Sequence, residues 1–265
     1  MEATLQFLGT GGSMGVPVIG CECPVCTSSV PQDKRLRTSA LLTVNNRRIL
    51  IDCGPDFRTQ ALRYKIDTLD GLILTHSHND HVGGVDDLKV YCVRTKKAMP
   101  CLVSVETECE LERRYHYLFR PNDVYQGMTT QFALTTLEDA RGTVEFLGLK
   151  VRYFSYLQLG MMVNGLRFGK LAYVTDIKDY DESIFEDLKG VDTLVLSALR
   201  FSTSPMHLTI DEAVDFAKKV NAKHTWFVHC AHELEYNKVN AYLPENMRLA
   251  YDGLTIQCPV EMFHE

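Results

Sequence analysis

The chain has 265 residues, 45% of them hydrophobic and 23% charged, and a formal net charge of −6. That length can bury a substantial core, and the acidic balance without a long basic run argues against a dedicated nucleic-acid surface. No apolar run approaches the ~20 residues of a membrane span, and the opening Met-Glu-Ala-Thr-Leu-Gln lacks the basic start and apolar stretch of a signal peptide, so a cytoplasmic protein is expected.

Nine cysteines without a secretion signal read as reduced thiols or metal ligands. The basic clusters Arg47-Arg48, Lys96-Lys97 and Arg113-Arg114 are short and scattered. No repeat, low-complexity tract or linker is visible, so residues 1–265 are expected to form a single domain.

Thr4–Leu8 alternates weakly and reads as an opening strand, followed by the glycine-dense loop Gly9-Thr-Gly-Gly-Ser-Met-Gly15. Such a loop allows close backbone approach to a ligand. It lacks the Gly-Lys-Ser/Thr ending of a nucleotide-binding loop. Cys21, Cys23 and Cys26 then place three thiols within six residues. In a reducing compartment this spacing points to a structural zinc site that needs one more ligand. A redox Cys-x-x-Cys is the rival, disfavoured by the third cysteine and the proline-rich surroundings.

Residues 38–52 read as a hairpin turning at Asn45-Asn46, two residues that tolerate left-handed backbone. Its second strand closes on Asp52, either a turn former or a carboxylate that braces a neighbouring site. A helix is expected at 57–65 and a short buried strand at Gly71-Leu-Ile-Leu74. Next comes Thr75-His76-Ser77-His78-Asn79-Asp80-His81, with four side chains suited to zinc, manganese or iron within six positions. The four side chains are expected on a tight turn at a strand's C-terminal end, with His76 and His78 pointing one way as on an extended strand and Asp80 and His81 the other. That division suits two adjacent metals.

Residues 85–93 read as a helix start, 101–105 as a strand and 106–119 as a helix in which His116 is an ordinary surface or packing residue. Segments 131–135, 143–147 and 149–157 are strand-like. A strand pair spanning 166–175 ends at Asp176, again an acidic residue closing a buried strand, with a turn cap as the plain alternative. Thr193–Ser197 is a buried strand. Arg200 and His207 follow in a loop, and Thr209-Ile-Asp-Glu212 is a capping box opening a helix at 210–220. The strand 223–228 delivers His229-Cys230-Ala-His232-Glu233, and 251–256 reads as a last strand.

His-x-His-x-Asp-His, with the strand–helix rhythm in halves 2–147 and 148–258, resembles the metallo-β-lactamase superfamily. The resemblance implies an α/β fold, the four-layer αββα sandwich. Leu8-Gly-Thr-Gly-Gly, the cysteine cluster, Leu-Thr-His-Ser-His-Asn-Asp-His, Val-Thr-Asp and His-Cys-Ala-His-Glu are together similar to the phosphoribosyl 1,2-cyclic phosphate phosphodiesterases, over about residues 4 to 257.

That likeness implies catalytic metal ligands at His76, His78, Asp80, His81, Asp176 and His229, with Asp176 bridging two ions and Asp52 bracing the loop. It implies a zinc on Cys21, Cys23, Cys26 and His232, and catalytic roles for His207 and Asp80. It implies zinc or manganese, one or two ions, that activate water for phosphodiester hydrolysis. Arg200 is a weaker candidate for phosphate contact, since a lone loop arginine is usually solvated. One position departs from the pattern: active relatives place a histidine where this chain has Gln158, a weaker donor that would leave the His76/His78/Asp176 site loosely filled.

The expected partner is a small anionic phosphodiester, a cyclic phosphate above all, with neither membrane nor nucleic acid; a homodimer stays open. Two other readings belong to the same superfamily. An RNA- or nucleotide-processing hydrolase would use a long arm or basic surface, and neither is evident. A non-catalytic cofactor-synthesis module would carry degraded catalytic motifs.

Overall fold

The computed structural model describes residues 1–119 and 128–263. In chain order these form β1 (Glu2–Gly9), β2 (Ser39–Val44), β3 (Arg47–Ile51), α1 (Phe57–Arg63), β4 (Gly71–Ile73), the one-turn α2 (Asn79–Val82), α3 (Lys89–Thr95), β5 (Met99–Ser104), α4 (Val105–Arg114), the short α5 (His116–Phe119) and β6 (Phe132–Leu137). There follow β7 (Arg141–Phe146), β8 (Leu149–Gln158), β9 (Met161–Phe168), β10 (Leu171–Val174), α6 (Ile184–Asp187), β11 (Thr193–Ser197), α7 (Ile210–Val220), β12 (His224–Val228), α8 (Tyr236–Tyr242), β13 (Met247–Leu249) and β14 (Thr255–Pro259).

Two seven-stranded sheets result, in the orders β14-β1-β2-β3-β4-β5-β6 and β13-β12-β11-β10-β9-β8-β7. Each mixes an antiparallel part with a parallel part: β3 to β6 run parallel in the first, β10 to β13 in the second. The parallel strands are covered on both faces, which is why Leu72-Ile-Leu and Thr193–Ser197 read as unbroken apolar runs.

Side-chain alternation sorts the core into layers. Phe7, Leu42, Ile51 and Ile73 of the first sheet meet Tyr173, Val195 and Val228 of the second. Leu50, Leu72 and Val103 face outward onto Phe57 of α1, Tyr91 of α3 and Leu111 of α4. Leu194, Leu196 and Phe227 face outward onto Ala213, Val214 and Ala217 of α7. The arrangement is helix, sheet, sheet, helix, the sandwich that the motifs imply.

Local chemistry sets the element ends. Asn45 and Asn46 adopt φ of 50° and 61° in the hairpin turn, the left-handed pair that matches strand twist. Thr209 Oγ1 accepts from Glu212 N at 3.1 Å while Glu212 Oε2 accepts from Thr209 N at 2.8 Å, a cap contributing about 1 kcal/mol. Asn221, at φ 56°, ends that helix.

Several boundaries differ from expectation. The division falls between β6 and β7 rather than at 147, and β14 returns to pair with β1, so the first sheet holds the first and last strands. The helix expected over 106–119 breaks at Tyr115, and 251–254 form a turn ahead of β14, with Gly253 at φ 96°. Residues 85–88 form a tight 3-10 turn before α3. Neither α8 nor the three-residue β13 has a periodic signature long enough to foresee. No described helix is long and apolar enough to cross a membrane.

Candidate metal centre

Strand ends from both sheets meet at one rim. Asp52 follows β3, His76 follows β4, Asp176 follows β10 and His229 follows β12. Asp52, Asp176 and His229 have φ of 62°, 56° and 60°, a left-handed geometry costing roughly 1–2 kcal/mol for a residue with a side chain. Three such residues at one rim mark a place where the backbone turns sharply to aim polar groups inward. Gly54 is required there, because a Cβ on it would lie 2.1 Å from the Asp80 carbonyl oxygen.

The 75–81 segment is a tight turn at a strand's C-terminal end, as expected, and its second half is helical. His78 precedes the single helical turn of α2, which carries Asp80 and His81. The division into two groups nevertheless holds: His76 and His78 lie with Asp176, and Asp80 and His81 lie with His229. Strand alternation would instead have put Asp80 with His76 and His78; it is the helical turn that carries Asp80 over to His81 and His229.

Asp176 stands between the groups. Its Oδ1 is 3.3 Å from His81 Nε2, and its Oδ2 is 3.4 Å from His229 Nε2 and 3.8 Å from His76 Nε2. Asp80 Oδ2 lies 3.3 Å from His229 Nε2 and 3.6 Å from His81 Nε2, and His76 Nε2 is 3.0 Å from His78 Nδ1. His81 Nε2 is buried without a hydrogen-bond partner. Converging imidazole nitrogens and carboxylate oxygens, one of them an orphan in the core, fit divalent metal ions.

Asp52 orders this set. His81 Nδ1 lies 2.7 Å from Asp52 Oδ2, and the Thr75 hydroxyl donates to the same carboxylate while lying 3.0 Å from His76 Nδ1. Having donated its proton, the hydroxyl accepts from His76 Nδ1–H, so both rings turn Nε2 into the centre. The sequence points to Asp52 but gives no sign of Thr75. Nor does it show Asn164, whose Nδ2 donates to the Thr75 carbonyl, or Arg114, whose Nη1 donates to the Ser77 carbonyl at 2.7 Å. These are ordinary residues until the fold brings them to the loop.

Crowded charge polarises the cluster. Burial disfavours charge on His81, yet Asp176, Asp52 and Asp80 outweigh it and hold its pKa well above the usual range. Burial raises Asp176, but His229 and His81 outweigh that and hold its carboxyl well below the ordinary value. Asp80 is likewise lowered against burial by His81 and His229. Burial, with His81, pushes His76 down.

His207 is buried and stacks on His229 with ring centroids 4.6 Å apart; its Nδ1 is 3.8 Å from Asp176 Oδ2. Burial and then His229 pull its pKa down to about 4. Gln158, the last residue of β8, is 1% exposed and reaches the same place: its Nε2 lies 3.3 Å from Asp176 Oδ2 and 3.0 Å from the Met206 carbonyl, while Oε1 is buried without a partner. A cleft of about 290 Å³ opens here, lined by the 12–15 loop, Arg200, Met206 and His207. Arg200 is tied to Glu233 at 3.5 Å.

The thiol cluster lies apart. Cys21, Cys23 and Cys26 Sγ stand 3.3, 3.3 and 3.6 Å from His232 Nδ1, the three-sulfur, one-nitrogen set of a structural zinc site. The Cys26 amide, then His232, lower Cys23 to about 6, whereas burial first raises Cys26 to about 11. His232 lies three residues past His229, so one strand end serves both regions.

A family profile described as a beta-lactamase superfamily domain matches residues 47–230. The octanoyltransferase of Porphyromonas gingivalis is 36% identical over 253 residues, covering 94% of this chain and 50% of that protein, so this chain spans about half the length of that relative. A crystal structure of a diphosphatase from the PhnP family superposes with a TM-score of 0.89 at 37% identity, covering 98% of each chain. Zn(2+)-bound PqqB from Methylobacterium extorquens gives 0.74 at 19% identity over 96% of this chain and 99% of its own, a likeness of fold alone. Sequence profile, sandwich and cysteine cluster agree, and the chain belongs to the beta-lactamase superfamily, in the branch of the PhnP-family diphosphatase.

Proposed function

We propose that the protein is a metal-dependent phosphodiesterase that hydrolyses a small anionic phosphodiester, cyclic phosphates first among them. The observation that carries this is the Asp176 carboxylate, with one oxygen toward His81 and the other toward His229 and His76. His76, His78 and Asp176 would hold one ion, and Asp80, His81, Asp176 and His229 the other, as zinc or manganese. Such ions supply Lewis acidity toward phosphate oxygens and lower the pKa of water.

The protein's own groups do the rest. Asp80, kept ionised, accepts a hydrogen bond from the attacking water. Burial and His229 bias the His207 ring toward its neutral form, while an anionic diester beside it favours the protonated ring, which would donate its proton to the departing oxygen. Arg200, at the cleft wall, offers a guanidinium to a phosphate oxygen. The glycine-rich loop lets its backbone approach without side-chain obstruction.

Turnover of bis(p-nitrophenyl) phosphate with added Mn²⁺, against a metal-free blank, tests the class. No turnover would move the protein to the metal-binding-module reading. Because the PhnP-family relative is a diphosphatase, a screen of cyclic phosphates, nucleotides, diphosphates and RNA 3′ ends then sorts substrates. His207→Ala should lower kcat roughly 10²–10⁴-fold on diesters with poor leaving groups and less on p-nitrophenyl esters, with metal content unchanged. An equal loss on both kinds would assign His207 a binding role instead.

A further inference from the structure

We propose that Gln158 is a positioning residue: its amide nitrogen straps the loop that carries His207 to Asp176, the carboxylate between the two ligand groups. This rests on the acid role of His207 given above. Gln158 Nε2 is 3.0 Å from the Met206 carbonyl oxygen, 3.3 Å from Asp176 Oδ2, and 3.2 and 3.4 Å from the two ring nitrogens of His207. A carbonyl only accepts, so Met206 fixes which end of the amide points this way. The near-equal distances to both His207 nitrogens set the amide against the ring rather than along one lone pair. The two N–H groups therefore go to Met206 and Asp176, and the imidazole is pinned beside them.

Apart from ring contacts of Phe201 with Tyr242 and of His207 with His229, few hydrogen bonds hold the loop. It is closed at its base by Leu199 N to Leu208 O and by Leu208 N to Ile177 O. Among the described residues, the other hydrogen bonds within 201–207 stay local: Arg200 Nη2 to the Thr203 carbonyl, and Met206 N to Ser204 Oγ. Met206 is the point at which the tip is tied to a sheet, and the tie comes from the end of β8. A histidine at 158, as the likeness to active relatives implies, has at most two N–H donors on opposite sides of a ring and cannot make this fork. The strap uses the nitrogen end alone; the buried, partnerless Oε1 is left as a neutral donor.

Substitution by glutamate separates strap from ligand. Gln158→Glu keeps the shape and an oxygen donor and removes both N–H groups, but adds a carboxylate beside Asp176, so the uncharged Gln158→Met is measured with it and the two must agree. The strap predicts a fall in kcat of tens-fold or more on a diester with a poor leaving group and a smaller fall on bis(p-nitrophenyl) phosphate. KM and metal content, by elemental analysis, should hold. In a His207→Ala background the same change should have no further effect, since its action runs through His207. Full activity of either variant, or equal losses on both substrates with loss of bound metal, would overturn the proposal. Gln158→Met, of similar length and without either polar end, stands alone if Glu fails to fold. Hydrogen exchange of the 204–208 amides decides the strap without turnover: it should quicken in the variant, and unchanged exchange overturns it. If the unsubstituted protein cleaves no diester with Mn²⁺, the phosphodiesterase reading fails while exchange still judges the strap.

Discussion

Cys21, Cys23 and Cys26 come from one loop, with Cys26 buried and the other two partly open to solvent, and need a single distant residue, His232, to complete their set. The imidazole–carboxylate centre takes His76, His78, Asp80 and His81 from the first sheet and Asp176 and His229 from the second, all but His78 buried. In the first region the frame is one loop, held by a small cluster of Val16, Val25 and Cys26 and by contacts such as Lys34 Nζ to the Cys26 carbonyl. In the second the frame is two packed sheets, and the polar groups are imposed on it at the expense of left-handed backbone at three strand ends. A metal in the thiol cluster therefore stabilises structure, while metals in the other centre draw on structure already built.

The largest departure from this contrast should come from Asp176→Ala. Removing the carboxylate that faces both groups should take hydrolysis to background and release metal from the catalytic centre, while the zinc proposed for the thiol cluster and the far-ultraviolet circular dichroism persist. Loss of the thiol zinc as well would show that the two regions are not independent.

Cys23→Ser should do the opposite. One zinc per chain should disappear and Tm should fall by several degrees, about 2–4 °C for each kcal/mol lost in a chain of this size, with catalytic metal retained below the new transition. An unchanged Tm and zinc content would remove the structural role. Asp52→Asn sits between: the fold stays, but weaker orientation of His81 and, through Thr75, of His76 should lower catalytic metal affinity about 10–100-fold. Titration of metal-stripped protein with Mn²⁺ measures it.

Legibility in the sequence divides along the same line. The cysteine spacing and the His-x-His-x-Asp-His run are local, so their chemistry shows without a fold. Asp52, Asp176 and His229 were visible as polar residues ending apolar strands, and the hairpin and the capped helix stand where their turn residues put them. What stayed hidden depends on distant partners: the Thr75 hydroxyl between Asp52 and His76, Arg114 on the Ser77 carbonyl, the return of β14 to the first sheet. The turn after β4 is legible, but its helical form at 79–82 is not, because four residues carry no periodicity. Gln158 was legible as a departure from the family pattern, but its hold on Met206 needed the second sheet and the 199–208 loop in place.

The return of β14 has a consequence for how this chain tolerates rearrangement. The Met1 amino group donates to the Val260 carbonyl at 2.9 Å, and Glu2 pairs with Pro259. From there β1 runs eight residues, about 26 Å at the usual rise per residue, before reaching the glycine-rich loop at the cleft. Residues 1 and 260 thus adjoin each other on the side of the sandwich remote from the cleft. A linker from the end of the chain back to residue 1, with new ends opened in an exposed turn, should give a circular permutant that keeps both metal regions intact.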